Sequence, residues 1–184
     1  MIGQKKFKTQ SSLPTLSIKK KNHLKYYPIM GLSILSLFIL TQCLTAITIT
    51  LWGSWTETIN SSDLLGPPGS DLNPSYESSA TQVTLNLRNT QNRNWEVDVR
   101  KVDSTWNPLL HLYLRRTSDG NGRGWISGGT PNYLEVTDSY DSRFIWGRDN
   151  RTEIYLQFKV DGVSVAIPPN VYTTTIYYTA IEVF

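Results

Sequence analysis

The chain has 184 residues, 39% of them hydrophobic and 18% charged, which is long enough to bury one sizeable core. Its net charge of +3 is misleading, because seven of its eighteen basic residues are lysines within residues 1–27. The rest of the chain holds eleven basic and fifteen acidic residues, a net charge of −4, which gives no electrostatic reason to expect a nucleic acid partner.

The N-terminal lysines precede an apolar segment, Ile29 to Leu51, that contains no charged residue. A basic segment followed by an apolar one is typical of an export signal or a membrane anchor. We expect residues 1–46 to be a signal peptide cleaved after Ala46. The alternative is an uncleaved anchor helix over residues 29–51. In both cases the remainder is exported to the periplasm, the cell surface or the medium, and only the N-terminal segment contacts a membrane.

The single cysteine, Cys43, lies within this apolar segment. A chain that begins near Ile47 therefore has no cysteine and no disulfide, even in an oxidising compartment. Its sheets must be held together by their own hydrophobic core.

Residues 47–80 are predicted to contain a first strand, near Thr48 to Ile59, and a long loop. The loop, Ser61 to Ser79, is rich in serine, proline, glycine and aspartate, as loops are. Residues 81–184 then form the main body, and we expect residues 47–184 to make one domain.

Apolar and polar residues alternate along most of this body, which predicts strands with one buried face and one solvent face. The inward residues are Val83, Leu85 and Leu87; Trp95, Val97 and Val99; Leu110, Leu112 and Leu114; and Ile154, Leu156, Phe158 and Val160. Thr84 and Gln157 belong to the outward sets. Asp161-Gly162 predicts a tight hairpin into a further short run, Val163 to Ile167, and Val171 to Phe184 predicts a final strand.

This pattern predicts an all-β protein, an antiparallel β-sandwich preceded by the N-terminal signal or anchor helix. Seven to nine short strands make an immunoglobulin-like topology one option.

The segment Ile167 to Tyr178 resembles the closing strand of secreted bacterial β-sandwich proteins of the spore coat protein U and fimbrial subunit group. In that group, a turn leads to a tyrosine and an alternating, threonine-rich strand ends the domain. This chain lacks the cysteines common in the group, and Asn170 and Val171 precede Tyr172 where a glycine often stands. The resemblance implies an exported surface protein without enzymatic activity.

The sequence indicates no catalytic residue, cofactor site or metal site. His111 is the only histidine after residue 46, and it has no cysteine or second histidine as a partner for zinc or for a triad. Glu96 and Asp98 share a strand face, as many exposed acids do. The aspartates near residues 119 and 138–149 lack the spacing of a calcium loop.

Aromatic side chains are the best candidates for ligand binding or for a protein interface. Trp125 and Trp146 lie near glycine-rich and charged turns, and Tyr177 lies on the outward side of the final strand. The arginines from Arg115 to Arg151 are interspersed with acids, which predicts a solvated surface of mixed charge.

Two functions are therefore predicted. The first is an exported, non-catalytic protein of the cell envelope or surface, structural or adhesive, that associates with itself or with an assembly partner. Its final strand is apolar on both faces, and Tyr177 either meets a partner there or packs under the Ser61 to Ser79 loop. The alternative is a carbohydrate-binding module that uses surface aromatics to hold a glycan.

Overall fold

The computed structural model describes residues 46–139 and 143–184 and the backbone of residues 5–11. Apart from a 3-10 helix at Ser61–Asp63, the regular elements of these residues are strands. They are β1 (Lys5–Ser11), β2 (Thr48–Trp52), β3 (Ser54–Ile59), β4 (Ser75–Glu77), β5 (Val83–Arg88), β6 (Asn94–Thr105), β7 (His111–Arg116), β8 (Ile126–Gly128), β9 (Leu134–Glu135), β10 (Arg143–Arg148), β11 (Arg151–Asp161) and β12 (Val171–Val183).

The strands form two sheets, as a β-sandwich requires. The first sheet has the order β3-β1-β12-β6-β10-β8, and the second has the order β2-β5-β11-β7-β9, with β4 also paired to β11. Neighbouring strands are antiparallel except β1 and β12, which are parallel. The all-β class and the two-sheet architecture are confirmed.

The core lies between the sheets and contains the residues that alternation places inward. Leu112 and Leu156 are both buried, on different strands of the second sheet, as expected. Trp55 of β3 stacks on Phe158 of β11 with ring centroids 6.3 Å apart, which joins the first sheet to the second. With no disulfide between residues 47 and 184, this packing must hold the sheets together.

The N-terminal segment is described only in part. Lys5–Ser11 forms β1, in which Phe7 is in register with Tyr172 on one side and Glu57 on the other. The expected signal or anchor segment falls largely on residues 12–45, outside the described residues, although Thr48 to Leu51 belong to β2. Within the part of the chain that is described, no helix has the length and apolar character needed to cross a membrane.

The predicted first strand is two strands. Gly53 separates β2 from β3 with a φ of +119°, which places them in different sheets. A Cβ atom at residue 53 would lie 2.3 Å from the carbonyl oxygen of Gln82, so only glycine fits this crossing.

The predicted loop from Ser61 to Ser79 is a loop in its centre but carries a 3-10 helix and β4 at its ends. Its end pairs with β11 through β4, and Ser78 directly after β4 bonds to Gln157, which makes the outward assignment of Gln157 wrong. Gln157 is only 7% exposed. Its amide donates to Ser78 O at 2.8 Å and accepts from Arg115 Nε at 2.9 Å.

The predicted hairpin at Asp161-Gly162 is also wrong. Val163 and Ile167 are buried, but the segment between them turns back on itself, with Ile167 N donating to Ser164 O at 3.1 Å. Val163 N bonds to Pro74 O rather than to a neighbouring strand. The final strand, in contrast, forms as expected over Val171–Val183.

Candidate functional site

The outer face of the first sheet carries all three of the aromatic residues that the sequence singles out. Trp146 lies on β10, in register with Glu96 of β6, and both are outward because Trp95 and Val97 beside Glu96 are buried. Trp125 directly precedes β8, which pairs with β10. Tyr177 lies on the outward side of β12, between the buried Ile176 and Tyr178.

Trp125 and Trp146 line one cleft of about 130 Å³, which we call the tryptophan cleft. Trp125 is 48% exposed and Trp146 is half-buried. The complete lining is Asn94, Trp95, Glu96, Trp125, Arg143, Trp146, Gly147 and Val183. The cleft thus offers two indole rings together with a carboxylate, a guanidinium and an amide at its rim.

Two buried arginines hold the segment that presents Trp125. Arg151 donates to the carbonyl oxygen of Gly124, and Arg116 Nε donates to that of Gly128 at 2.9 Å. Arg148 N donates to Trp125 O at 3.0 Å. The segment on both sides of Trp125 is therefore anchored to β7, β10 and β11, and Trp125 is presented by a fixed backbone.

The solvated surface that the sequence predicts for the arginines is consequently wrong for Arg116 and Arg151. Arg116 is 4% exposed and also pairs with Asp119. The sequence does indicate that Arg116 is buried, because Arg116 follows Leu112 and Leu114 at the same spacing of two residues. The sequence does not indicate burial of Arg151. A register shift in β11 separates Arg151 from Ile154, so the alternation that begins at Ile154 does not extend to Arg151.

Gly147 forms part of the floor of the tryptophan cleft. A Cβ atom there would lie 2.8 Å from the ring of Trp95 and 2.5 Å from Trp125 O. Trp95 itself is buried, as predicted, and its Nε1 donates to Asp149 O at 2.8 Å. The absence of a side chain at residue 147 lets the Trp95 ring come up to the base of the cleft.

Arg143 covers part of the Trp146 ring. Its guanidinium lies 5.5 Å from the ring centroid and forms an ion pair with Glu96. The Arg143 side chain is more than half exposed, so a ligand could displace it at little cost in packing.

Tyr177 lies apart from the tryptophan cleft. It is four residues from Ile181, which is in register with Glu96, so it is about 14 Å away along β12. The Arg100 guanidinium lies 4.8 Å from its ring centroid. Within the Ser61 to Ser79 loop, Ser75–Glu77 pairs with β11 of the other sheet. The packing of Tyr177 against the rest of this loop stays a prediction.

The faces of β12 are confirmed, and its edges are paired, except that no described strand pairs with the β1 side of residues 177–183. Tyr172, Ile176 and Tyr178 are buried, whereas Val171, Ile181 and Val183 are exposed. β1 and β6 pair with its two edges, so a partner has access to the outer face of β12 and not to its backbone along those pairings.

A more polar cleft of about 340 Å³ contains His111. His111 Nδ1 lies 2.7 Å from Glu135 Oε1, and Lys101 Nζ lies 2.5 Å from Asp103 Oδ2. Four of its polar side chains thus form two pairs, His111 with Glu135 and Lys101 with Asp103. Among residues 46–139 and 143–184, no three histidine, cysteine or carboxylate side chains are placed to share a metal ion.

The tyrosines on the outer face of the second sheet are covered by cations. Lys159 Nζ lies 4.6 Å from the Tyr113 ring centroid, and Arg115 lies 4.6 Å from that of Tyr133. Burial, reinforced by the nearby Glu77, raises the pKa of Tyr133 to about 12. These rings are less accessible to a ligand than Trp125.

No family model, no curated protein and no solved structure matches this chain. The resemblance of Ile167 to Tyr178 to the spore coat protein U and fimbrial subunit group therefore stays a prediction.

Proposed function

We propose that this chain is an exported, non-catalytic β-sandwich protein of the cell envelope or surface, with a structural or adhesive role. The observation that carries the proposal is the apolar end of the outer face of β12, where Ile181 and Val183 are exposed. Trp125 and Trp146 extend this face across β6 and β10. Exposed apolar groups clustered on one face are typical of interaction surfaces.

Several finer features belong to the same proposal. The sandwich has an immunoglobulin-like topology, and the N-terminal segment directs export through cleavage after Ala46 or, alternatively, as an anchor over residues 29–51. The partner is a second copy of the chain or an envelope assembly component. It meets the outer face of β12, and cleavage after Ala46 would also expose the edge of β12 that pairs with β1.

Light scattering across a concentration series tests association through this face. We expect the mass of the full chain to rise with concentration, and Ile181→Lys and Tyr177→Glu to reduce that rise because each places a charge on the contact face. Thr84→Lys, on the outer face of the second sheet, is the control and should associate as the unsubstituted chain does. A constant monomer mass for all four proteins would contradict self-association.

Carbohydrate binding is the second candidate function, and the joint position of Trp125 and Trp146 favours it. Indole rings stack on the apolar face of a sugar, while Asn94 and Glu96 offer hydrogen-bond partners to its hydroxyl groups. A saccharide-dependent change in tryptophan fluorescence that Trp125→Ala removes would support this candidate. Trp52→Ala is the matched control, because Trp52 is exposed on the other sheet. Equal responses from both variants would contradict it.

A further inference from the structure

The tryptophan cleft continues into a larger groove. The two share Asn94 and Val183, and the groove, of about 520 Å³, extends to Arg93, Arg148 and Phe184. We call this second part the arginine groove. Phe184 is fully exposed at its far end. Aromatic rings thus stand at both ends of one continuous depression, with arginines between them.

The continuous depression is too long for a single sugar ring. Trp146 of β10, Glu96 of β6 and Ile181 of β12 lie side by side, so the depression crosses two strand spacings from β10 to β12. Phe184 lies three residues further along the chain than Ile181. Strand spacing and rise make the depression about 14 Å long. The dimensions suit an extended ligand with repeated rings.

The charges of the depression favour an acidic ligand. Arg93 pairs with Glu182 at 2.6 Å, and Arg143 pairs with Glu96. Arg148 Nε donates to Asn92 O at 2.8 Å, but Arg148 forms no ion pair with a described carboxylate. The three arginines outnumber the two glutamates here, although the exported part of the chain is acidic as a whole.

We propose that the tryptophan cleft and the arginine groove form one site for a carboxylate-bearing oligosaccharide. Trp125 stacks on a sugar ring, Asn94 bonds to hydroxyl groups, and the guanidinium of Arg148 receives a carboxylate. This inference rests on the second candidate function and names its ligand class. Arg148 is the residue that selects an acidic sugar over a neutral one.

Calorimetric titration of the full chain with an oligogalacturonate tests the proposal. The matched neutral ligand is the same oligomer with its carboxyl groups reduced. We expect the acidic oligomer to bind about tenfold more tightly, because a hydrogen bond between charged groups is worth that much. Arg148→Gln should remove this preference by lowering the affinity for the acidic oligomer about tenfold, whereas Trp125→Ala should weaken the binding of both oligomers.

The control variants are Arg88→Gln and Trp52→Ala, both exposed on the second sheet, and they should bind as the unsubstituted chain does. Equal affinity for the two oligomers would overturn the proposed preference for an acidic oligosaccharide, while saccharide binding itself would stand. No binding of either oligomer would overturn both. If, in addition, Trp125→Ala lowered the mass in light scattering, a second copy of the chain would be the occupant of the cleft.

Discussion

Truncation of Leu156 to alanine should destabilise the protein strongly. Leu156 is 0% exposed and lies at the centre of the second sheet, in register with Val83 of β5 and Arg116 of β7. Its neighbours are fixed by strand pairing on both sides, so the cavity left by the truncation has little room to collapse. We therefore expect the free energy of unfolding to fall by about 3–5 kcal/mol, in the upper part of the range for such truncations.

That loss is a large share of the roughly 5–15 kcal/mol that stabilises a typical domain. Urea unfolding followed by circular dichroism measures it, and a thermal scan should show the melting temperature lower by on the order of 10 °C. Thr84→Ala is the control, because Thr84 lies on the outer face of β5 and should cost less than about 1 kcal/mol. Equal losses for the two variants would refute the assignment of inward and outward faces.

Three further substitutions have distinct expected outcomes. Gln157→Leu should lower the free energy of unfolding in urea by about 1–3 kcal/mol, because it removes the acceptor for Arg115 Nε and leaves Ser78 O without its donor. An unchanged free energy of unfolding would contradict the burial of Gln157. Gly53→Ala should destabilise more than Gly69→Ala in thermal scans, because both have positive φ but only residue 53 meets a backbone oxygen. Burial alone would raise the pKa of Asp161, but hydrogen bonds from an ammonium and a hydroxyl group lower it. The stability that Asp161→Asn removes should therefore be present at neutral pH and disappear as pH falls below the usual value of 3.8. An unchanged difference at pH 2 would contradict this.

Alternation along the sequence predicts which residues face the core because strand burial has a period of two. It therefore identifies the inward rows of β5, β6, β7, β11 and β12. It does not reveal the crossing at Gly53, because alternation is local and says nothing of the sheet to which a strand belongs. The outward assignment also fails at Gln157, because its side chain bonds to Ser78, about 80 residues earlier in the chain.

The candidate site is predictable only in part, for the same reason. Trp125 and Trp146 stand out as aromatic residues beside turns, but their proximity depends on the three-residue pairing of β8 with β10. Tyr177 stands out because it lies on the outward side of the final strand, and it is elsewhere on the same face. Arg148 and Phe184 have no local signal, because the groove that joins them forms only when β6, β10 and β12 lie side by side.

The proposed surface function depends on export, and intact mass measured on cell fractions tests export. We expect the protein in the envelope or the medium, with a mass that lacks residues 1–46 and an N-terminus near Ile47. A full-length chain in the envelope would favour the anchor over residues 29–51. A full-length chain in the cytosol, with Lys5–Ser11 still present to form β1, would contradict export and the surface function that depends on it.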